Sequence, residues 1–285
     1  MLRTDTGIPT FEGSSLLPVA TYLVVIGVLS ALVLVTPGVS PPPVLGMAWG
    51  LFLVALGAGV FLLEDISPRS VLPSFQSFLQ ALGAVLAFWI VYHLVGFALA
   101  LGTIPGFRAA PSSAATHPTL YLAAFGSSLL FTAFPEEFMF RGYLQSKLVA
   151  EAGGDSRGAV AVGVTVGAVL FALFHLPRWF LMSGHVVSSD LVIRLGGLVL
   201  AGLAFGLVYV LTNNLWLVAL FHATMNQPPL LLTVDIAPEL HLFVAFVEYT
   251  AIVLFVLVAL FVSSPEKDTL TWVRNFGTSP PEDQT

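Results

Sequence analysis

Cysteine is absent from all 285 residues, which excludes a disulfide framework, a thiol nucleophile and any thiolate metal site. Charge is scarce as well. Only 9% of residues are Asp, Glu, Lys or Arg, against roughly a quarter in an ordinary soluble domain. A chain so poor in charge cannot cover a water-facing surface. The net charge of −6 is spread through loops and termini, and with no basic stripe the chain is not expected to have a nucleic-acid partner. No internal repeat is visible, which counts against a transporter built from two related halves.

What fills the chain instead is apolar, 57% of its residues being hydrophobic. A helix rises about 1.5 Å per residue, so about 20 mainly apolar residues cross a hydrocarbon core of about 30 Å. Runs of this kind lie at Leu16–Val35, Val44–Leu63, Phe75–Leu101, Pro118–Phe134, Ala159–Leu176, Leu191–Val210, Leu215–Leu232 and Leu240–Val262. The expected fold class is therefore all-α: a polytopic bundle of about eight transmembrane helices, with the lipid bilayer as its first partner. The breaks between runs carry turn chemistry, at Thr36-Pro37-Gly38 with Pro41-Pro42-Pro43, Glu64-Asp65 through Pro73, Gly102–Pro118, Asn213-Asn214 and Pro228-Pro229. The chain divides into an N-terminal segment 1–15, the bundle 16–262 with a core at 118–232, and a polar tail 263–285. The first run has no compact basic region before it and reads as a retained span, not a cleaved signal core.

Eight spans place both termini on one side. With the N-terminus inside, Arg3, Arg69, Arg141, Lys147, Arg157, Lys267 and Arg274 fall on the cytoplasmic face, against Arg108, Arg178 and Arg194 opposite. Positive charge then predicts cytoplasmic termini in a cell membrane.

Ionisable side chains are costly within apolar spans and face the bundle interior or a wet cavity. Three clusters qualify. Pro135-Glu136-Glu137 and Arg141 follow the fourth run; Glu137 and Arg141 stand four apart with the acid first, the favourable order for an ion pair on a helix. Glu136 is turned about 100° away by helix geometry, which leaves it free for chemistry. Phe171 and His175 end the fifth run, and His222 and Asn226 share one face of the seventh. Each cluster has an ordinary reading: a charged span end, an interfacial histidine, a hydrogen bond between helices. Together they supply what water-driven hydrolysis needs. Glu136 can take a proton from water, His175 can position that water or help bind a metal, and His222 with Asn226 can donate to an oxyanion. Glu137 and Arg141 would be structural support.

The pattern Glu136-Glu137-x-x-x-Arg141, Phe171-x-x-x-His175, His222-x-x-x-Asn226 resembles the CAAX prenyl endopeptidase and bacteriocin-processing family of intramembrane proteases, whose best-known member is the Ras-converting CAAX endopeptidase. The resemblance covers roughly 120–231. It implies a hydrolase cutting near the carboxy terminus of prenylated or other membrane-anchored substrates, with Glu136, His175, His222 and Asn226 catalytic. Family members are often labelled metalloproteases, yet the His-Glu-x-x-His zinc helix is missing. A Zn2+ set of Glu136, His175 and His222 is the available one, and one Glu serves poorly as ligand and free base together. The competing readings are a non-proteolytic scaffold or immunity-type membrane protein, which would be expected to lose Glu136, His175 or Asn226, and a proton-coupled transporter.

Overall fold

Capping side chains set several helix limits. A computed structural model describes residues 11, 13–35, 43–154 and 156–263. Most of the N-terminal segment, the turn Thr36–Pro42 and the tail beyond Ser263 lie outside the described residues. α1 (Leu17–Leu34) and α2 (Pro43–Leu63) precede α3 (Phe75–Leu101), which opens on Ser74, whose hydroxyl accepts the Ser77 N–H. α4 (Ser113–Thr116) is a single turn, and after the non-helical His117 α5 (Pro118–Ser128) begins a long rod. It continues through a π-helical stretch Leu129–Ala133, α6 (Phe134–Glu137), a second π-helical stretch Phe138–Gln145 and α7 (Ser146–Glu151). α8 (Arg157–Leu173) opens on Ser156, which accepts the Ala159 N–H. α9 (Ser189–Thr212) and α10 (Leu215–Asn226) are joined by two asparagines with different duties. Asn213 ends α9 at φ 44° and ψ 33°, a left-handed conformation Asn tolerates, and Asn214 accepts the Leu217 N–H to start α10. α11 (His241–Ser263) closes the described chain.

Six helical segments are long and apolar enough to cross a membrane: Leu17–Leu34, Pro43–Leu63, Phe75–Leu101, Arg157–Met182, Ser189–Thr212 and Pro238–Ser263. The rod 118–151 and α10 complete the bundle expected from the apolar runs. Three boundaries move. The fourth run does not end at Phe134 but carries Glu136, Glu137, Arg141 and Lys147 inside its rod, all buried. Ion pairs make this tolerable: Arg141 meets Glu137, and Lys147 Nζ lies 3.0 Å from Glu64 Oε2. The fifth run does not end at Leu176, because a π-helical stretch Arg178–Met182 prolongs the segment past His175. α10 stops at Asn226 instead of reaching Leu232, and at about 1.5 Å per residue it is too short to cross a bilayer. It lies within the protein, with nearly every side chain from Leu215 to Thr224 buried.

These shifts weaken the charge count. Arg141 and Lys147 are buried, which leaves Arg69 and Arg157 on the expected cytoplasmic face among the described residues, against Arg108, Arg178 and Arg194. The chain also contains a small departure from all-α. β1 (Phe107–Pro111) pairs antiparallel with β2 (Leu232–Val234), tying the loop after α3 to the segment after α10.

Small residues bring the site's helices close. A Cβ built on Gly202 of α9 would sit 2.7 Å from Ala168 Cα of α8, and one on Gly206 would sit 2.6 Å from Gln145 Oε1. Gly163 faces the Val149 side chain of α7. The Gly163/Gly167 and Gly202/Gly206 spacings therefore do what small-x-x-x-small pairs do in membranes, letting backbones approach.

Candidate active site

Pro135 lacks an amide proton and sits between the two π-helical stretches of the rod. The next two residues, Glu136 and Glu137, meet α10 side by side. Glu137 is fully buried. Its Oε1 lies 2.7 Å from His222 Nδ1, and its Oε2 lies 3.1 Å from Arg141 Nε. Arg141 also donates from Nη2 to the Gly202 carbonyl at 3.4 Å. The predicted Glu137–Arg141 pair is present, and it does more than neutralise Glu137, because the same carboxylate fixes the His222 ring. Glu136 was expected to point elsewhere. Its Oε2 lies 3.8 Å from His222 Nε2, so both carboxylates address one imidazole from its two nitrogens.

Phe171 binds these parts together, a role the motif alone does not reveal. Its carbonyl lies 2.8 Å from His175 Nδ1. Taking the Nδ1 proton there leaves Nε2 of His175 free as an acceptor. The Phe171 ring lies 4.5 Å from the Arg141 guanidinium carbon and meets the His222 ring edge-on at 5.8 Å. Phe205 of α9 stacks on the His222 ring, with ring centroids 5.4 Å apart. The short Asn213-Asn214 link, by folding α10 back along α9, puts that ring there.

Glu136, His175, His222 and Asn226 all line one cavity of about 570 Å³. Its buried end is formed by Glu136, His222 and Phe205; Asn226, Arg178 and Arg194 at the other end are exposed. Ala124 and Glu136 both line it from the rod, Arg194 and Phe205 both from α9. The mouth thus lies at the bundle end that holds Pro118, the loop before α9 and the end of α10. His175, whose predicted span end would have put it at the wrong depth, reaches this cavity because its segment continues beyond it.

The wall also holds hydroxyls from Ser127, Ser128 and Thr132 and the ring of Tyr249 on α11. None of these stands out in the sequence, since Ser, Thr and Tyr are ordinary in membrane helices. Arg178 and Arg194 read there as loop charges. The three candidate metal donors, Glu136, His175 and His222, share the cavity, but among the described residues no group of three or more His, Asp or Glu side chains is gathered so as to hold a metal ion.

Residues 115–227 match the family model of the type II CAAX prenyl endopeptidase Rce1-like proteins. No curated protein and no solved structure matches the chain. The matched segment starts just before the rod and ends one residue after Asn226, so it takes in every side chain of the buried cluster. Residues 115–227 of this integral membrane protein are thus similar to the type II CAAX prenyl endopeptidase Rce1-like family.

Proposed function

We propose that the protein hydrolyses a peptide bond near the carboxy terminus of prenylated, CAAX-type or other membrane-anchored substrates, using water activated by Glu136 and His175. The observation that carries this reading is the placement of Glu136, His175, His222 and Asn226 around one cavity between helices. Glu136 is the general base: its partner-rich neighbour Glu137 takes up Arg141 and His222 Nδ1, while Glu136 faces open cavity. A carboxylate in reach of water can accept its proton as the oxygen attacks the scissile carbonyl. His175, held through Nδ1 by the Phe171 carbonyl, offers Nε2 to the same water. The carbonyl oxygen gains charge as the tetrahedral intermediate forms. The Asn226 carboxamide donates to it, and so does His222 Nε2–H when the ring carries both protons. Glu136 then returns its proton to the leaving amine. Peptide bond and water are consumed; the second water proton stays on the new carboxyl and passes to the amine as the products leave as carboxylate and ammonium, so the proton balance closes.

Helix packing supports the support roles of Glu137 and Arg141. Both are buried, and both hold other site residues in place without facing the mouth. The test is a single-turnover reaction of a farnesylated CAAX peptide with purified protein in 18O-labelled water containing hydroxylamine. Direct attack by water gives a product whose new carboxylate carries the label and no hydroxamate. A hydroxamate would indicate an acyl-enzyme and remove Glu136 from its role; no cleavage of prenylated, unprenylated or transmembrane peptides would favour the scaffold reading.

A further inference from the structure

Two guanidinium groups line a cavity whose other working groups are carboxylates, imidazoles and a carboxamide. Arg178 lies three residues beyond His175 in the π-helical stretch, and Arg194 lies in the second turn of α9. Both are exposed at the mouth. Neither has an ion-pair partner among the described residues, although Asp190 lies one turn before Arg194 on the same helix. The other cations with described partners are committed: Arg141 to Glu137, Lys147 to Glu64 and Glu151, Arg108 to Asp235. Two arginines from different helices at one cavity mouth, neither within ion-pair distance of an acid among the described residues, make an anion site, and the planar fork of Arg favours a carboxylate.

The spacing says which carboxylate. Counted along the backbone, Arg178 stands about 5 Å beyond His175 and Arg194 about 16 Å before Phe205 on α9; both guanidinium groups are near enough to act electrostatically on His175, and Arg178 on Glu136 as well. An extended chain covers about 3.3 Å per residue, so backbone intervals of this size are spanned by at most two to five residues. A peptide threading down the cavity with its scissile bond at Glu136 would bring an anionic group to the arginines only a few residues away. Every polypeptide that ends there has such a group.

We infer that Arg178 and Arg194 form a specificity subsite that holds the free α-carboxylate of the substrate, so that the cut falls a measured few residues from the chain end. The inference rests on the hydrolytic reading for which bond is cut, but the subsite itself is a binding claim and is tested as one. Its residues set the distance between the chain terminus and the reacting carbonyl; they do not move a proton.

The test uses full-length Glu136→Gln protein in nanodiscs, which binds without turnover, and a fluorescent lipid-anchored peptide in free-acid and C-terminally amidated forms. The free acid is expected to bind about tenfold tighter, the size of one charge-assisted contact. Arg178→Gln with Arg194→Gln should remove that preference and leave amide binding unchanged. Each single variant should lose part of it, so that one folded single variant suffices if the double variant does not fold. Equal binding of acid and amide, or an intact preference in the folded variants, overturns the inference. An amidated peptide with Glu as its last residue separates a side-chain carboxylate from the α-carboxylate: if it binds as well as the free acid, the assignment to the chain terminus is wrong. Repeating the measurement with 30% anionic lipid separates lipid headgroups: if the arginines hold phosphates, acid and amide bind alike at every lipid composition. Absence of cleavage by the wild-type protein, with the acid preference intact, would remove the hydrolytic reading and leave the subsite standing.

Discussion

The imidazole of His222 sits between adjacent carboxylates of the rod, with Nδ1 2.7 Å from Glu137 Oε1 and Nε2 3.8 Å from Glu136 Oε2. The two acids therefore divide the work. Glu137 anchors the ring and pairs with Arg141, and Glu136 keeps a face open to the cavity. Their substitutions should separate cleanly. Glu136→Gln is expected to lower kcat by about 10²- to 10⁴-fold with the melting temperature unchanged. Glu137→Gln leaves a buried guanidinium uncompensated and should destabilise the fold by about 3–5 kcal/mol. Thermal unfolding in detergent, alongside turnover, distinguishes the two. Equal loss of stability in both variants would contradict the division.

Asn226 ends α10 at the exposed side of the cavity, one turn from His222. If its carboxamide meets the oxyanion only once the intermediate forms, Asn226→Ala should reduce kcat by about 10²- to 10³-fold and leave KM nearly unchanged. A change confined to KM would place Asn226 in ground-state binding instead.

Close packing of α8 on α9 positions Phe171 and Phe205 against His222. A side chain on Gly202 would collide with Ala168, and the Gly202 carbonyl accepts from Arg141. Gly202→Val is expected to cost about 1–3 kcal/mol through overpacking and to reduce activity, whereas Gly197→Ala, which meets nothing within 4 Å, should do neither. Melting temperatures of the two variants provide the check.

The absence of cysteine makes orientation directly measurable by single-cysteine labelling. With both termini cytoplasmic, the loop before α9 and the cavity mouth face the opposite side. Val186→Cys, at a residue 72% exposed, then reacts with a membrane-impermeant maleimide in intact cells, and Ala152→Cys reacts only after permeabilisation. The inverted labelling pattern would turn the bundle over.

Much of the site was legible because lipid makes ionisable residues conspicuous. Glu136, Glu137, His175, His222 and Asn226 stood out against apolar runs, and the helical spacing that paired Glu137 with Arg141 and His222 with Asn226 held in three dimensions. Depth was not legible. Hydropathy reads a charged residue as the end of a span, yet Arg141 and Lys147 are buried, each with a partner distant in sequence beside its i,i+4 acid, Arg141 donating to the Gly202 carbonyl. Lys147 meets Glu64 across 83 residues, and Glu64 itself, which reads as a loop acid, also accepts from the Gly13 amide and the Tyr143 hydroxyl. The same error placed His175 at a span end. The π-helical stretches and the capture of His222 by Glu137 are products of packing, with no periodic signal to reveal them.

The central claim is that Glu136 and His175 activate water at this cavity. The most direct measurement is the initial rate of cleavage of a quenched farnesylated CAAX peptide by detergent-purified wild-type protein, Glu136→Gln and His175→Ala, with folding monitored by thermal unfolding. Cleavage by the wild type and at least a 10²-fold loss in both folded variants are expected. Wild-type rates retained by folded Glu136→Gln would contradict the claim.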